Sequence, residues 1–441
     1  MHGRHRRRAV PGRARNRGLG PRLHGVADGV SAGPAPAAGH AKALRILFLA
    51  PQPFFEVRGT PLAVLAMVRA LRADGHHVEL LTFPQGAAVE VPGLVHRRSA
   101  RLPVGRVKPG PSLGKLALDV PFLGEAIWRM ARGAFDVVHA VEEAAHLVAP
   151  FARVLGVPLV VDVDSSVPDQ LRESGFARRG PLPWAADLLE RHALRHAAAV
   201  ITVCTSLTEG VRARAPEASV FQVEDPPLVE AGTASAEEVG ALRATLRLDA
   251  RPVVLYSGNF EAYQGVDLLV DAAAGVPGAQ FVFMGGEPAE VDAMRARAAA
   301  AGVVERTVFT GKRPPSDLPA FLGLAHVLAS PRRRGVNTPF KVYTYMASGR
   351  PLVATRILTH TQVLDEGHAW LVEPTAEAFA AGVRAALADV PEASRRAARA
   401  QALVESEYSS TRYAEKVRAA YVEVAKAVAA RRRTAGDILP Q

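Results

Sequence analysis

The sequence predicts an α/β protein built as two doubly wound, parallel-sheet domains facing each other across a cleft. Three observations predict it. Short apolar runs of strand length alternate with amphipathic helical stretches along nearly the whole chain. The pattern starts afresh after a proline-bearing break, EDPPLVEAG, which reads as a linker. At 441 residues the chain is long enough for two domains, each with its own core.

The first unit opens with RILFLAPQP from Arg45, an apolar strand entering a loop, FFEVRGTP, and then a helix from about Leu62 to Ala73. Gly75 ends the helix, and HHVELLTF is the next strand. Gly59 lies in the loop at the carboxyl end of the first strand, where such sheets bind ligands, and Thr60 is placed to cap the helix. Residues 84–125 are less regular. Arg101, Arg106, Lys108 and Lys115 are set there among Leu, Val and Phe, a surface suited to an anionic membrane or to solvent alone. FDVVHA is a further strand, and PLVVDVDSSVPDQL delivers Asp162, Asp164 and Ser165 at or past the end of another. Acids and hydroxyls in that position bind sugar hydroxyls, accept a proton, or merely cap a helix. AAVITVC reads as a buried strand carrying Cys204, the single cysteine, which excludes an internal disulfide.

The second unit begins at RPVVLYSGNFEAYQGVDLLVDAA, with a glycine turn at Ser257–Phe260. FVFMGGE, TVFTGKRP, AHVLASPRRRG, PLVAT and AWLVEP supply its further strands. Within it, GVNTPFKVYTYMASGRPLVAT places Lys341, Val342, Tyr345 and Met346 at helical spacing behind Pro339. A helix opening under a Gly, Asn and Thr loop aims free N–H groups and a positive dipole end at whatever lies above it. Gly258, Gly285, Asn337, Thr338 and Lys341 can therefore converge on an anion, with Arg332 or Arg334 assisting.

The charge of +11 narrows the partners once it is divided. Residues 1–40 carry eight Arg and one acid, Asp28, leaving +4 for the rest. That Gly-, Pro- and Ala-rich head is expected to be disordered, and nucleic acid is not an expected partner. No GxGxxG, Walker A, HExxH or CxxC pattern occurs, so neither a dinucleotide, a P-loop nor a bound metal is expected. No apolar run approaches the ~20 residues of a membrane span. The expected location is the cytoplasm, with peripheral contact at the inner face of the membrane as an open alternative.

PQPFFEVRGTPLAVLAMVRALRADGHHVELLT, YSGNFEAYQGVDLLVDA, FVFMGGE, VFTGKRP and NTPFKVYTYMASGRPLVAT, in this order and spacing, resemble the group 1, or family 4, retaining glycosyltransferases of the GT-B fold. The resemblance covers about residues 44–430. It implies two Rossmann-like domains: an acceptor domain at 43–224 after a basic extension at 1–42, and a nucleotide-sugar domain at 225–412. A C-terminal helix within 413–441 would cross back to the first domain. It implies metal-independent transfer with retention, a nucleotide-diphosphate sugar as donor substrate, and no further cofactor; the acceptor, whether glycan, lipid or small molecule, is left open. By the same resemblance Gly59, Gly258, Asn259, Gln264, Gly285, Arg334, Asn337, Thr338, Lys341 and Thr344 would surround the donor, and Asp164 would contact sugar or acceptor. The sequence departs from the family at the two Glu residues usual around this stretch, where Arg334 and Thr344 stand. Asn259 and Gln264 replace the usual Arg and Lys, and Asp164 replaces a frequent His. A binding protein of the same fold without turnover and a sugar-nucleotide epimerase are the alternative readings.

Overall fold

The computed structural model describes residues 42–56, 58–105, 112–133, 135–173, 181–229 and 234–436. The basic extension at 1–42, apart from Lys42, and Arg106 and Lys108 lie outside the described residues.

Thirteen strands among these residues form two parallel sheets. The first contains β1 (Arg45–Ala50), β2 (His77–Thr82), β3 (Val95–Arg98), β4 (Val137–Val141), β5 (Leu159–Val163), β6 (Ala199–Thr202) and β7 (Val220–Gln222). Their spatial order is β3-β2-β1-β4-β5-β6-β7. The second contains β8 (Val253–Ser257), β9 (Gln280–Met284), β10 (Thr307–Gly311), β11 (Val327–Ser330), β12 (Leu352–Thr355) and β13 (Trp370–Val372), in the order β10-β9-β8-β11-β12-β13. In each sheet the order reverses beside the domain's first strand, at β1/β4 and at β8/β11. A crevice opens at such a point because the flanking loops leave in opposite directions.

The strands are apolar on both faces because helices cover both. In β1, Leu47 and Leu49 enter one core, while Ile46, Phe48 and Ala50 enter the other. In β8, Val254 and Tyr256 divide from Val253 and Leu255 in the same way. This period of two is the pleat of the strand.

The helix Ser410–Gly436 crosses to the first domain. Tyr413, Val417, Tyr421, Val424 and Val428, spaced by three or four, bury against that domain's core. Each such side chain contributes about 1.5–3 kcal/mol as an upper estimate. Arg418 and Arg432 pair with Asp74 and Asp136, each at 2.5 Å, and Tyr421 meets the buried His139 Nδ1 at 2.9 Å.

Three local expectations need correcting. The irregular stretch after residue 84 contains β3, whose exposed, basic VHRR lacks the apolar signal of a buried strand. Cys204 lies past the end of β6, as the buried N-cap of the helix Thr205–Arg214. Thr60 does not cap its helix: that helix starts at Gly59, its N-cap is Arg58, and the Thr60 hydroxyl bonds Asp164 instead.

Candidate functional site

The cleft between the domains has a volume of about 1230 Å³ and is lined by loops from the carboxyl ends of both sheets. All eleven predicted site residues line it: Gly59 and Asp164 from the first domain, and Gly258, Asn259, Gln264, Gly285, Arg334, Asn337, Thr338, Lys341 and Thr344 from the second.

Two of the glycines are structural requirements. Gly258 and Gly285 have φ of +142° and +129°, and a Cβ on Gly285 would stand 1.9 Å from the Gly258 carbonyl oxygen. The loops after β8 and β9 thus touch backbone to backbone, which only glycine permits. A Cβ on Gly258 would lie 2.9 Å from Lys341 Nζ. Gly59 is different, because a Cβ there would meet nothing within 4 Å and would enter only the open cleft.

Lys341 is the second residue of the helix Phe340–Ala347, which follows Pro339. Its ammonium lies 3.9 Å from the Tyr256 ring centroid and donates to Gln264 Oε1 at 3.2 Å. Tyr256 is itself fixed, its hydroxyl donating to the Asn259 carbonyl at 2.6 Å. Desolvation by burial, with repulsion from Arg332, holds the Lys341 ammonium well below the ordinary lysine value. Among the described residues no carboxylate pairs with it, so the charge stands beside a helix N-terminus with only a ring and an amide for partners.

The arginine run divides by role. Arg332 is buried, and its guanidinium donates to the Arg334 carbonyl at 2.9 Å, the Asn337 carbonyl at 3.2 Å and Asn337 Oδ1 at 3.0 Å. It therefore shapes the loop, and it also lines the cleft, with three of its five N–H groups used in these bonds. Arg334 is exposed into the cleft. Asn337 also reaches the other domain, with Nδ2 3.5 Å from the Asp164 carbonyl. The neighbouring Val336 carbonyl accepts from Ser206 Oγ at 2.8 Å and Gln362 Nε2 at 3.0 Å. Thr338 is buried at the cleft wall. Thr344 is 1% exposed, and its hydroxyl accepts from the Leu228 N–H of the linker at 3.0 Å. This threonine ties the linker to the helix Phe340–Ala347, a role its sequence position did not reveal.

The first-domain wall is acidic. Asp164 is buried, and desolvation, with Asp162, Glu142 and Asp225 nearby, raises its carboxyl well above the ordinary range. Burial, then Asp162 and Glu224, push Asp225 up to about 8. Asp162 contacts His139 Nε2 at 3.1 Å, and Ser165 donates to Glu142 at 2.7 Å. Glu142 has φ +49°, uncommon for a residue with a Cβ. Sequence reasoning missed Glu142, Asp225 and Gln52. The available signal for Glu142 was the one used for Asp164, an acid directly after an apolar strand. Among the described residues no group of three His, Cys, Asp or Glu side chains could hold a metal ion.

Two parallel-sheet domains, with a cleft between them that is cationic on one wall and acidic on the other, have the architecture of the GT-B fold. The family of group 1 glycosyl transferases matches residues 251–389, and the glycosyl transferase 4-like domain matches residues 58–223. An alpha-D-kanosaminyltransferase of Streptomyces kanamyceticus is 30% identical over 234 residues, 51% of this chain and 59% of that protein. The match thus spans less than two thirds of that relative's length. A 2-deoxystreptamine glucosyltransferase of the same organism is 30% identical over 294 residues, 61% of this chain and 73% of the relative. The solved structure of Anabaena Alr3699/HepE in complex with UDP and glucose superimposes with a TM-score of 0.70 at 18% identity, covering 86% of this chain and 99% of that one. The chain belongs to the group 1 glycosyltransferases and has the GT-B fold.

Proposed function

We propose that the protein transfers a sugar, with retention and without a metal, from a nucleotide-diphosphate sugar held by the second domain to an acceptor held by the first. The Lys341 ammonium carries this reading: it is desolvated, has no carboxylate partner among the described residues, and sits at a helix N-terminus between two glycine loops. When the bond between the anomeric carbon and the phosphate oxygen breaks, its electrons pass to the leaving diphosphate. Lys341 and the loop amides stabilise that charge where it grows. The acceptor hydroxyl bonds the anomeric carbon on the face the diphosphate leaves, and the departing phosphate oxygen takes its proton. The two relatives are named as sugar transferases, and HepE was solved with UDP and glucose, in keeping with a nucleotide-sugar donor.

The test is incubation with UDP-, GDP-, ADP- and dTDP-sugars and a panel of acceptors, followed by nucleoside diphosphate release and the anomeric configuration by NMR. Release that persists in EDTA, with the donor's configuration kept, is expected. Inversion, or loss of turnover in EDTA restored by Mg²⁺, would overturn the corresponding part.

A second observation supports peripheral contact with a membrane. On the helix Leu113–Arg132, whose Lys115 lines the cleft, Leu113, Leu116, Val120 and Trp128 are 76%, 48%, 72% and 49% exposed and share one stripe. No helix among the described residues is long and apolar enough to cross a membrane. Co-sedimentation with anionic but not neutral vesicles is expected, and loss of pelleting in Val120→Ser checks the stripe.

A further inference from the structure

The acidic wall is not explained by the donor. Strands β1, β4 and β5 are neighbours in the sheet, and they deliver Gln52, Glu142 and Asp164 to the same rim of the cleft. Asp225 joins them from the segment after β7. The cations of this wall are engaged elsewhere: Arg58 lies 3.5 Å from Glu56, and Lys115 lies 2.5 Å from Glu143, with Glu142 also within its field. Asp162, behind Asp164, is held by His139. Among the described residues neither Asp164 nor Asp225 has a cationic partner.

Gln52 is an independent sign of a ligand. The residue is 7% exposed and lines the same cleft, and its side-chain amide nitrogen has no hydrogen-bond partner among the described residues. A buried donor left unpaired is costly, as are close carboxylates without a counter-charge. A ligand oxygen would satisfy the first, and a ligand cation would relieve the second.

We propose that the acceptor is an amino-polyol, an amino sugar or aminocyclitol, whose ammonium sits between Asp164 and Asp225 while a ring oxygen or hydroxyl accepts from Gln52. This rests on the transferase reading and names the acceptor class for its first-domain half. The charge pattern also orients the two substrates. The raised carboxyls of Asp164 and Asp225 ionise as an ammonium approaches them, so the amine is favoured at this wall over the half that holds the Lys341 cation.

The experiment is calorimetry on the full chain with UDP, GDP and ADP, followed by acceptor probes added in the presence of whichever diphosphate binds. The probes are glucosamine and 2-deoxystreptamine against N-acetylglucosamine and myo-inositol. The ammonium probes should bind at least about 10-fold tighter than the neutral ones. Asp225→Asn and Asp164→Asn should bring the ratio to near one, leaving diphosphate affinity intact as the check on folding. Equal or tighter binding of the neutral probes, absence of binding by the amines, or an unchanged ratio in both variants overturns the amino-polyol assignment. Any of these with diphosphate binding intact leaves the transferase reading standing, whereas failure of every diphosphate to bind overturns that reading itself.

Discussion

Replacing Lys341 with Met separates binding from stability, because the two should move in opposite directions. Methionine keeps an unbranched stem of similar length and removes the ammonium. The lost contact is charged, and hydrogen bonds to charged groups are worth about 1.5–3 kcal/mol. At 1.4 kcal/mol per tenfold, diphosphate affinity should fall about 10- to 150-fold. The upper part of that range is favoured because Lys341 is already desolvated in the unliganded protein, so binding does not strip its water again. Stability should respond oppositely. The folded protein holds this ammonium below its unfolded pKa, so its charge opposes folding. That penalty is full at pH below the folded pKa and fades as pH rises towards the unfolded value. The variant should therefore melt at or above the wild-type temperature at neutral pH without ligand, and lose most of the wild type's stabilisation by nucleoside diphosphate. Calorimetry and thermal melts with and without diphosphate measure both. Unchanged affinity would refute the placement of the diphosphate at Lys341, and a melting temperature several degrees lower would refute the electrostatic account.

Gly285→Ala should be destabilising by about 1–3 kcal/mol from its backbone conformation alone, and by more once the clash with the Gly258 carbonyl is included, read as a lowered denaturant midpoint. Asp225→Asn should stabilise the protein above about pH 4, because the folded carboxyl titrates near 8; the gain should grow through that window, level off above it and vanish in acid, as seen in melts across pH. Tyr421→Phe should cost about 1–2 kcal/mol of stability, since the buried His139 Nδ1 loses its partner on the crossing helix, measurable by urea unfolding.

Much of the architecture was legible in the chain because parallel strands covered on both faces must be apolar throughout. Val253–Ser257 and Phe281–Met284 are unmistakable, and the proline break separates two such series. The same rule hid β3, an edge strand whose residues are exposed or half-buried rather than covered by helices. The placement of Lys341 and the glycines at the cleft was legible, since a cation behind a proline at a helix start and glycines after strands are local signals. What sequence could not apportion was partnership. Arg332 and Arg334 are two residues apart in one run and both line the cleft, yet one is buried and braces the loop while the other is exposed.

The sequence by itself determined the two-domain α/β fold, the family resemblance and the cationic helix start, because each depends on residues close together in the chain. Only the tertiary structure decided that Gln52, Glu142, Asp164 and Asp225 share one wall, that Thr344 fastens the linker, and that Lys341 faces the cleft without a carboxylate partner among the described residues. Those properties depend on which strands lie side by side and on how far water is excluded, and strand order and burial arise only when the whole chain has packed.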